Sequence, residues 1–136
     1  MQAYPARAAQ AYLQTHVQSR SPLELVVMLY DGLLRFLGEA GAAIDSQSLP
    51  TKREAISKAL AILSELQSTL NMEQGGDVAV SLDALYTYVN GRVLEASIQN
   101  DRGPLDECAR LVRTLREAWA EIASREVAPT GTEGRR

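Results

Sequence analysis

Little in this chain could do chemistry: it holds one cysteine and one histidine. A lone thiol, Cys108, excludes an internal disulfide. A lone histidine excludes the two Glu-x-x-His pairs of a di-iron helical bundle. His16 also sits outside the helical part of the sequence, between Thr15 and Val17, with no basic surround to hold a phosphoryl group, and reads as a loop or turn residue. There is no glycine-rich phosphate loop, and Gly75-Gly76 reads as a turn between helices. Asp106 and Glu107 are adjacent, so on a helix they point apart, and they read as a solvated face near a helix start. No catalytic constellation remains, and neither an enzymatic activity, a metal nor a cofactor is expected. Basic residues are not in excess: 14 Lys and Arg against 17 Asp and Glu give a net charge of −3 and a pI of about 5.2. That argues against nucleic acid or an acidic membrane as partner. No apolar stretch approaches the ~18 residues of a membrane span. No basic segment followed by an apolar core opens the chain. A cytoplasmic, single-domain protein is expected.

Aromatic residues are only 5% of the chain, while Ala and Leu abound, which favours an all-helical fold. The strongest segment is Ser21 to Leu37, SPLELVVMLYDGLLRFL. Ser21 suits an N-cap, Pro22 the first helical position, and Glu24 completes a capping box. At 100° per residue Val26, Leu29, Leu33, Leu37, Ala40 and Ile44 share one face. Leu23, Val27 and Leu34 widen it on one side, Leu25 and Phe36 on the other. The apolar arc spans roughly 200°, about twice that of an ordinary surface helix. Such a helix is central in a bundle or has a second apolar partner.

The spacing predicts a helix from about Pro22 to Asp45 and a break at Ser46, Ser48, Leu49 and Pro50. A second helix should start near Thr51, with Glu54 closing a capping box, and run through Ile56, Ala59, Leu60, Leu63, Leu66 and Leu70. Gly75-Gly76 should end it or its following turn. Asp77 should cap a third helix with core residues Val78, Leu82, Leu85, Val89, Val93 and Ala96. Asn100, Asp101 and Gly103 break that helix. Pro104 suits the first turn of a fourth, which buries Leu105, Cys108, Ala109, Val112, Leu115, Trp119 and Ile122. The expected architecture is all-α: an antiparallel up-down four-helix bundle over residues 20–124. It follows an N-terminal arm or short helix over residues 1–19 and precedes a disordered Pro/Gly/Thr-rich tail over residues 125–136.

Apolar residues exceed what the bundle needs. Val80, Leu94 and Ile98 fall roughly opposite the core stripe of the third helix, and Tyr86 and Tyr88 flank it. Several such residues on adjoining helices can form a groove for an amphipathic partner helix. Gly32 costs about 1 kcal/mol relative to Ala in a helix interior. It permits a close approach, either by a partner or by a neighbouring bundle helix.

The segments Ala11-Tyr12-Leu13-Gln14-Thr15-His16-Val17, Ser21-Pro22-Leu23-Glu24-Leu25 and Met28-Leu29-Tyr30-Asp31-Gly32 resemble the flagellar secretion chaperone FliS family. Ile62-Leu63 through Leu70, Gly75-Gly76, Leu82, Leu85-Tyr86, Tyr88-Val89, Leu115-Arg116 and Trp119 follow in the same order. The resemblance covers roughly residues 10–122. Ser97 stands where the family commonly has Asn. The resemblance implies a bundle that binds the disordered C-terminal segment of flagellin in the cytoplasm, prevents premature polymerisation and aids delivery to the flagellar type III export apparatus. It implies contacts with the export gate protein and other flagellar regulators, and a monomer or weak homodimer when free. It also implies an N-terminal segment that can cover an apolar pocket when the client is absent, for which residues 8–17 are the candidate.

The flagellin-binding candidates are Tyr12, Gln14 and Val17 in the leader, Leu25, Met28 and Gly32 on the first helix, and Tyr86, Leu94 and Ile98 on the third. The competing expectation is a non-enzymatic homodimerisation or adaptor module whose surplus apolar residues form a self-association seam.

Overall fold

The structure is a computed structural model that describes the backbone of residues 22–133 and the side chains of residues 22–125. Four helices follow one another: α1 (Pro22–Asp45), α2 (Leu49–Ser68), α3 (Met72–Gln99) and α4 (Gly103–Glu133). Connections of three residues join them, so neighbours run antiparallel. α1 packs on α2 and α4, and α3 closes the ring by packing on the same two helices. The result is the four-helix bundle that the periodicity predicts, and among the described residues no strand occurs.

The helix ends follow local chemistry. α1 begins at Pro22, whose missing N–H is not needed in a first turn. Gln47 takes a left-handed conformation (φ 59°), and Ser48 N–H returns to Ala43 O at 2.9 Å, which reverses the chain. α2 starts at Leu49, two residues before the expected Thr51. Pro50 does not break the chain there: it lies in the first turn, where no N–H is lost. The Ser48 hydroxyl donates to Thr51 Oγ1 at 2.9 Å and makes no cap bond.

The second connection also differs from expectation. α2 ends at Ser68, and the turn is Thr69–Asn71, not Gly75-Gly76. Asn71 caps α3, accepting from Gln74 N–H at 3.0 Å. Gly76 instead breaks α3 one turn in, at φ 53° and ψ −130°, a region that only glycine occupies without strain. At the other end Asn100 is a left-handed C-cap, and Asp101 N–H bonds Ala96 O at 3.0 Å. Asp101 Oδ1 then accepts from Gly103 N–H at 2.9 Å to open α4. The backbone of α4 continues as helix to Glu133, beyond the expected boundary at 124. The sequence offers no reason for the last two turns, since Pro129 and Gly131 are poor helix formers.

The core is aliphatic. Leu29, Leu33, Leu37, Ile62, Leu63, Leu66, Val89, Val93, Leu105, Cys108 and Val112 are buried, with small Ala40, Ala55, Ala59 and Ala96 between them. Alanines on facing helices let the axes approach while the leucines interdigitate. Cys108 sits in this core, and burial pushes its thiol up to about 11, so it packs as a small hydrophobe.

One end of the bundle is tied by polar contacts. Lys52 on α2 is buried, and its Nζ donates to Ser97 O and Asn100 Oδ1, both at 3.0 Å. The ammonium thus meets the carbonyl-rich C-terminus of α3, where the helix dipole favours a cation. The contact at Ser97 uses the backbone carbonyl, so it does not depend on that side chain. Arg102, at the start of α4, pairs with Asp45 at the end of α1.

Two glycines of α3 should respond oppositely to Ala. Gly76→Ala forces an L side chain into a positive-φ conformation and should lower stability by about 1–3 kcal/mol. Gly91 is exposed, with nothing within 4 Å of an added Cβ. Gly91→Ala should raise stability by about 0.5–1 kcal/mol. Urea unfolding of the two variants beside the parent checks both signs.

Candidate functional site

The end opposite the Lys52 and Arg102 ties is open. There the first turns of α1, the last turns of α2, the first turns of α3 and Trp119 of α4 surround a groove of about 440 Å³. Its walls are Pro22, Leu23, Leu25, Val26 and Leu29, then Leu70, then Val78, Ala79, Leu82 and Tyr86. Glu65, Thr69 and Asn71 supply the polar rim. Among the described residues nothing covers the groove. Val78 occupies a core register of α3 by periodicity, yet is 65% exposed, since no residue of α1 reaches across to cover it. Gly75 also lines the wall, and its lack of a side chain matters: a Cβ there would stand 2.7 Å from Ala79 Cβ.

Two tyrosines lie beneath the groove. Tyr30 of α1 and Tyr86 of α3 come from diagonally opposed helices, and their hydroxyls meet at 2.5 Å in the core. Their rings are tilted, with centroids 6.5 Å apart. Burial raises both phenols above their usual pKa, so both stay protonated; one hydroxyl donates to the other, and Tyr30 has a further hydrogen bond with Trp119. The pair therefore ties the diagonal of the bundle where the aliphatic packing ends, and Tyr86 presents its ring to the groove.

Other polar contacts set the groove's sides. Gln67 of α2 donates to Asp83 Oδ1 at 3.0 Å and Thr87 Oγ1 at 3.1 Å, holding α2 against α3. Arg116 of α4 pairs with Asp31 of α1 at 2.7 Å, and that carboxylate raises the arginine's pKa. This ion pair lies in a second cleft of about 410 Å³ on the outer side of α1 and α4, lined also by Glu24, Val27, Met28 and Ala120. Between α3 and α4, Glu107 accepts from Tyr88 at 2.6 Å and Arg92 at 2.8 Å. The Tyr88 hydroxyl first, then Arg92, holds its carboxyl below the usual range.

The residues singled out in the sequence are distributed among these features. Leu25 and Tyr86 meet in the groove. Met28 lines the second cleft, one helix face away. Gly32 is buried and lines neither. Leu94 and Ile98 are exposed, 42% and 82%, on the face of α3 turned away from the core. The structure thus does not bring them to the groove. Tyr12, Gln14 and Val17 lie outside the described residues. Val26, Leu82 and Trp119 are groove-lining residues that the sequence assigned to the core alone. Among the described residues, no group of three or more His, Cys, Asp or Glu is placed to hold a metal ion. Among them too, no helix is long and apolar enough to cross a membrane.

The hydroxyl pair under the groove makes a direct prediction. Tyr30→Phe and Tyr86→Phe should each cost about 1–3 kcal/mol, because each breaks the buried hydroxyl contact; in Tyr86→Phe the Tyr30 hydroxyl keeps only its hydrogen bond with Trp119. The double variant should cost less than the sum, since the shared contact is lost only once. A denaturant double-mutant cycle measures the coupling.

Comparison with known proteins adds to this geometry. The sequence model of one family, described as "Flagellar protein FliS", matches residues 5–126. The chain is 37% identical over 117 residues to the "Flagellar secretion chaperone FliS" of Vibrio cholerae, covering 83% of this chain and 86% of that protein. It is 37% identical over 116 residues to the protein of the same name from Bacillus subtilis, covering 85% and 86%. It is 35% identical over 125 residues to that of Salmonella typhimurium, covering 88% and 93%.

Proposed function

The chain belongs to the flagellar protein FliS family, and from that premise we propose that it is a cytoplasmic, non-enzymatic export chaperone for flagellin. It takes the disordered C-terminal segment of flagellin, keeps it from polymerising and hands it to the flagellar type III export apparatus. The observation that carries this reading is the open apolar groove at one end of the bundle. A cavity of this size, with aliphatic walls and an aromatic floor, accepts a few apolar side chains from a helix or extended segment. The names of the relatives, all flagellar secretion chaperones, support the choice of client.

Ordering a disordered client costs free energy, so apolar burial has to exceed it. Leu23, Leu25, Val26, Leu70, Val78 and Leu82 supply that burial from three helices. The rim residues Glu65 and Asn71 offer acceptors to the client backbone, whose N–H groups lose water on entry. In this reading Leu25 and Tyr86 are client contacts in the groove. Met28 serves a client segment that continues over the second cleft, and Tyr12, Gln14 and Val17 serve the leader that covers the groove when no client is present. Gly32 acts indirectly, by letting α1 seat deeply.

Leu25→Asp and Val78→Asp test the groove. Leu25 is half-buried and Val78 exposed, so neither change opens the core. Each should weaken binding of a flagellin C-terminal peptide about tenfold or more by calorimetry, with the far-ultraviolet spectrum unchanged, because a charge in the groove must be desolvated without a partner. Hydrogen exchange with the peptide should protect the first turns of α1 and α3. Undiminished affinity in both variants would move the client elsewhere.

A further inference from the structure

The outer face of α3 carries Val80, Ala84, Thr87, Gly91, Leu94 and Ile98, spaced four, three, four, three and four residues apart. This is a heptad seam, and all six residues are exposed. No charged side chain interrupts it. It is about five turns, or ~27 Å, long. Large residues mark its ends and small ones its middle, and the space above Gly91 is empty. A helix laid along the seam could approach closely at Gly91 and Ala84 and seat its own large side chains there.

The edges of the seam are acidic. Asp77 and Glu95 flank one side and Asp83 the other, at positions roughly 60° from its centre line. The only basic residue of α3, Arg92, is engaged by Glu95 and Glu107, two carboxylates to one guanidinium. Asp83 takes its hydrogen bond from the neutral Gln67. The edges therefore keep a negative potential that α3 itself does not cancel. A second copy would meet this seam with the same acidic edges. The groove lies on the core side of α3, about 180° around the helix, so a segment held there leaves the seam open.

We propose that this seam docks an amphipathic helix of a second protein, aliphatic at heptad spacing and edged with Lys or Arg, while the groove is occupied. This rests on the chaperone reading only for what fills the groove. The exposed ion pairs make docking sensitive to salt.

The test uses the full chain and two 21-residue helical peptides with the same Leu/Ile heptad core, one edged with Lys and one with Glu. By fluorescence anisotropy the Lys-edged peptide should bind at least tenfold tighter, and the preference should shrink at high salt. Leu94→Gln/Ile98→Gln and Gly91→Gln should abolish its binding and leave affinity for a flagellin C-terminal peptide unchanged. Saturating flagellin peptide should not displace it. Equal binding of the two peptides, or binding indifferent to the seam variants, overturns the proposal. So does displacement by the flagellin peptide, which would give the seam to the client, or a homodimer in sedimentation that the seam variants dissolve. Loss of flagellin binding in the parent protein would instead overturn the chaperone reading and leave the seam measurement standing.

Discussion

α1 has to satisfy three surfaces at once, and the rest of the architecture follows from that demand. One flank meets α2, the other meets α4, and its first turns face a space that no other described helix fills. A helix with an ordinary apolar stripe could serve two neighbours. The arc of roughly 200° on α1 serves a third. The surplus is not spread evenly. Leu33, Leu37 and Ala40, further along, are wholly enclosed, whereas Leu23, Leu25 and Val26, in the first turns, stay half-buried. A binding surface and a core are thus written on the same helix and separated by height along its axis.

The diagonal tyrosine contact marks the boundary between these two regimes. Below it, alanines and leucines close the core, and the Lys52 and Arg102 contacts fasten the far end. Above it, the described residues leave the groove walls uncovered. A hydroxyl pair suits that boundary better than two leucines would. Each phenol carries a large aromatic area into the core, and the two polar tips meet each other, with Trp119 as a further partner of Tyr30.

Much of this was legible in the sequence, and the failures share a cause. The limits of α1 and the core registers of α1 and of α4 as far as Trp119 follow from periodicity and from Pro22, whereas Ile122, expected in the same α4 stripe, is 41% exposed because it lies beyond the last core layer. The start of α2 was displaced because Pro50 reads as a breaker, although in a first turn it is harmless. The α2–α3 connection was misplaced because a glycine pair is a stronger turn signal than Thr69-Leu70-Asn71. Yet Gly76 is used for a break inside α3, and Asn71 does the capping. Angular offset identified Val80, Leu94 and Ile98 as lying away from the core, and they are exposed. Val78 fits a core register equally well and is exposed for a different reason. Periodicity says which way a residue points, but not whether a neighbouring helix still stands opposite it. The groove is a property of where four helices end relative to one another, and no single stripe records that.

The two ends of the bundle differ in where they are fastened. Lys52 and Arg102 stitch the far end, tying α2 to α3 and α1 to α4. Toward the mouth the same two pairs are tied again, by Gln67 and by Arg116 with Asp31, and the tyrosine contact crosses between the pairs. Two pairs of rods joined in this way can still part from each other: a tilt of about 5° between them, carried along a helix of ~30 Å, parts the tips by about 3 Å. That is close to the width of one methyl group. The mouth can therefore adjust to guests of different girth by bending at a distance, with its own side chains still in their resting rotamers.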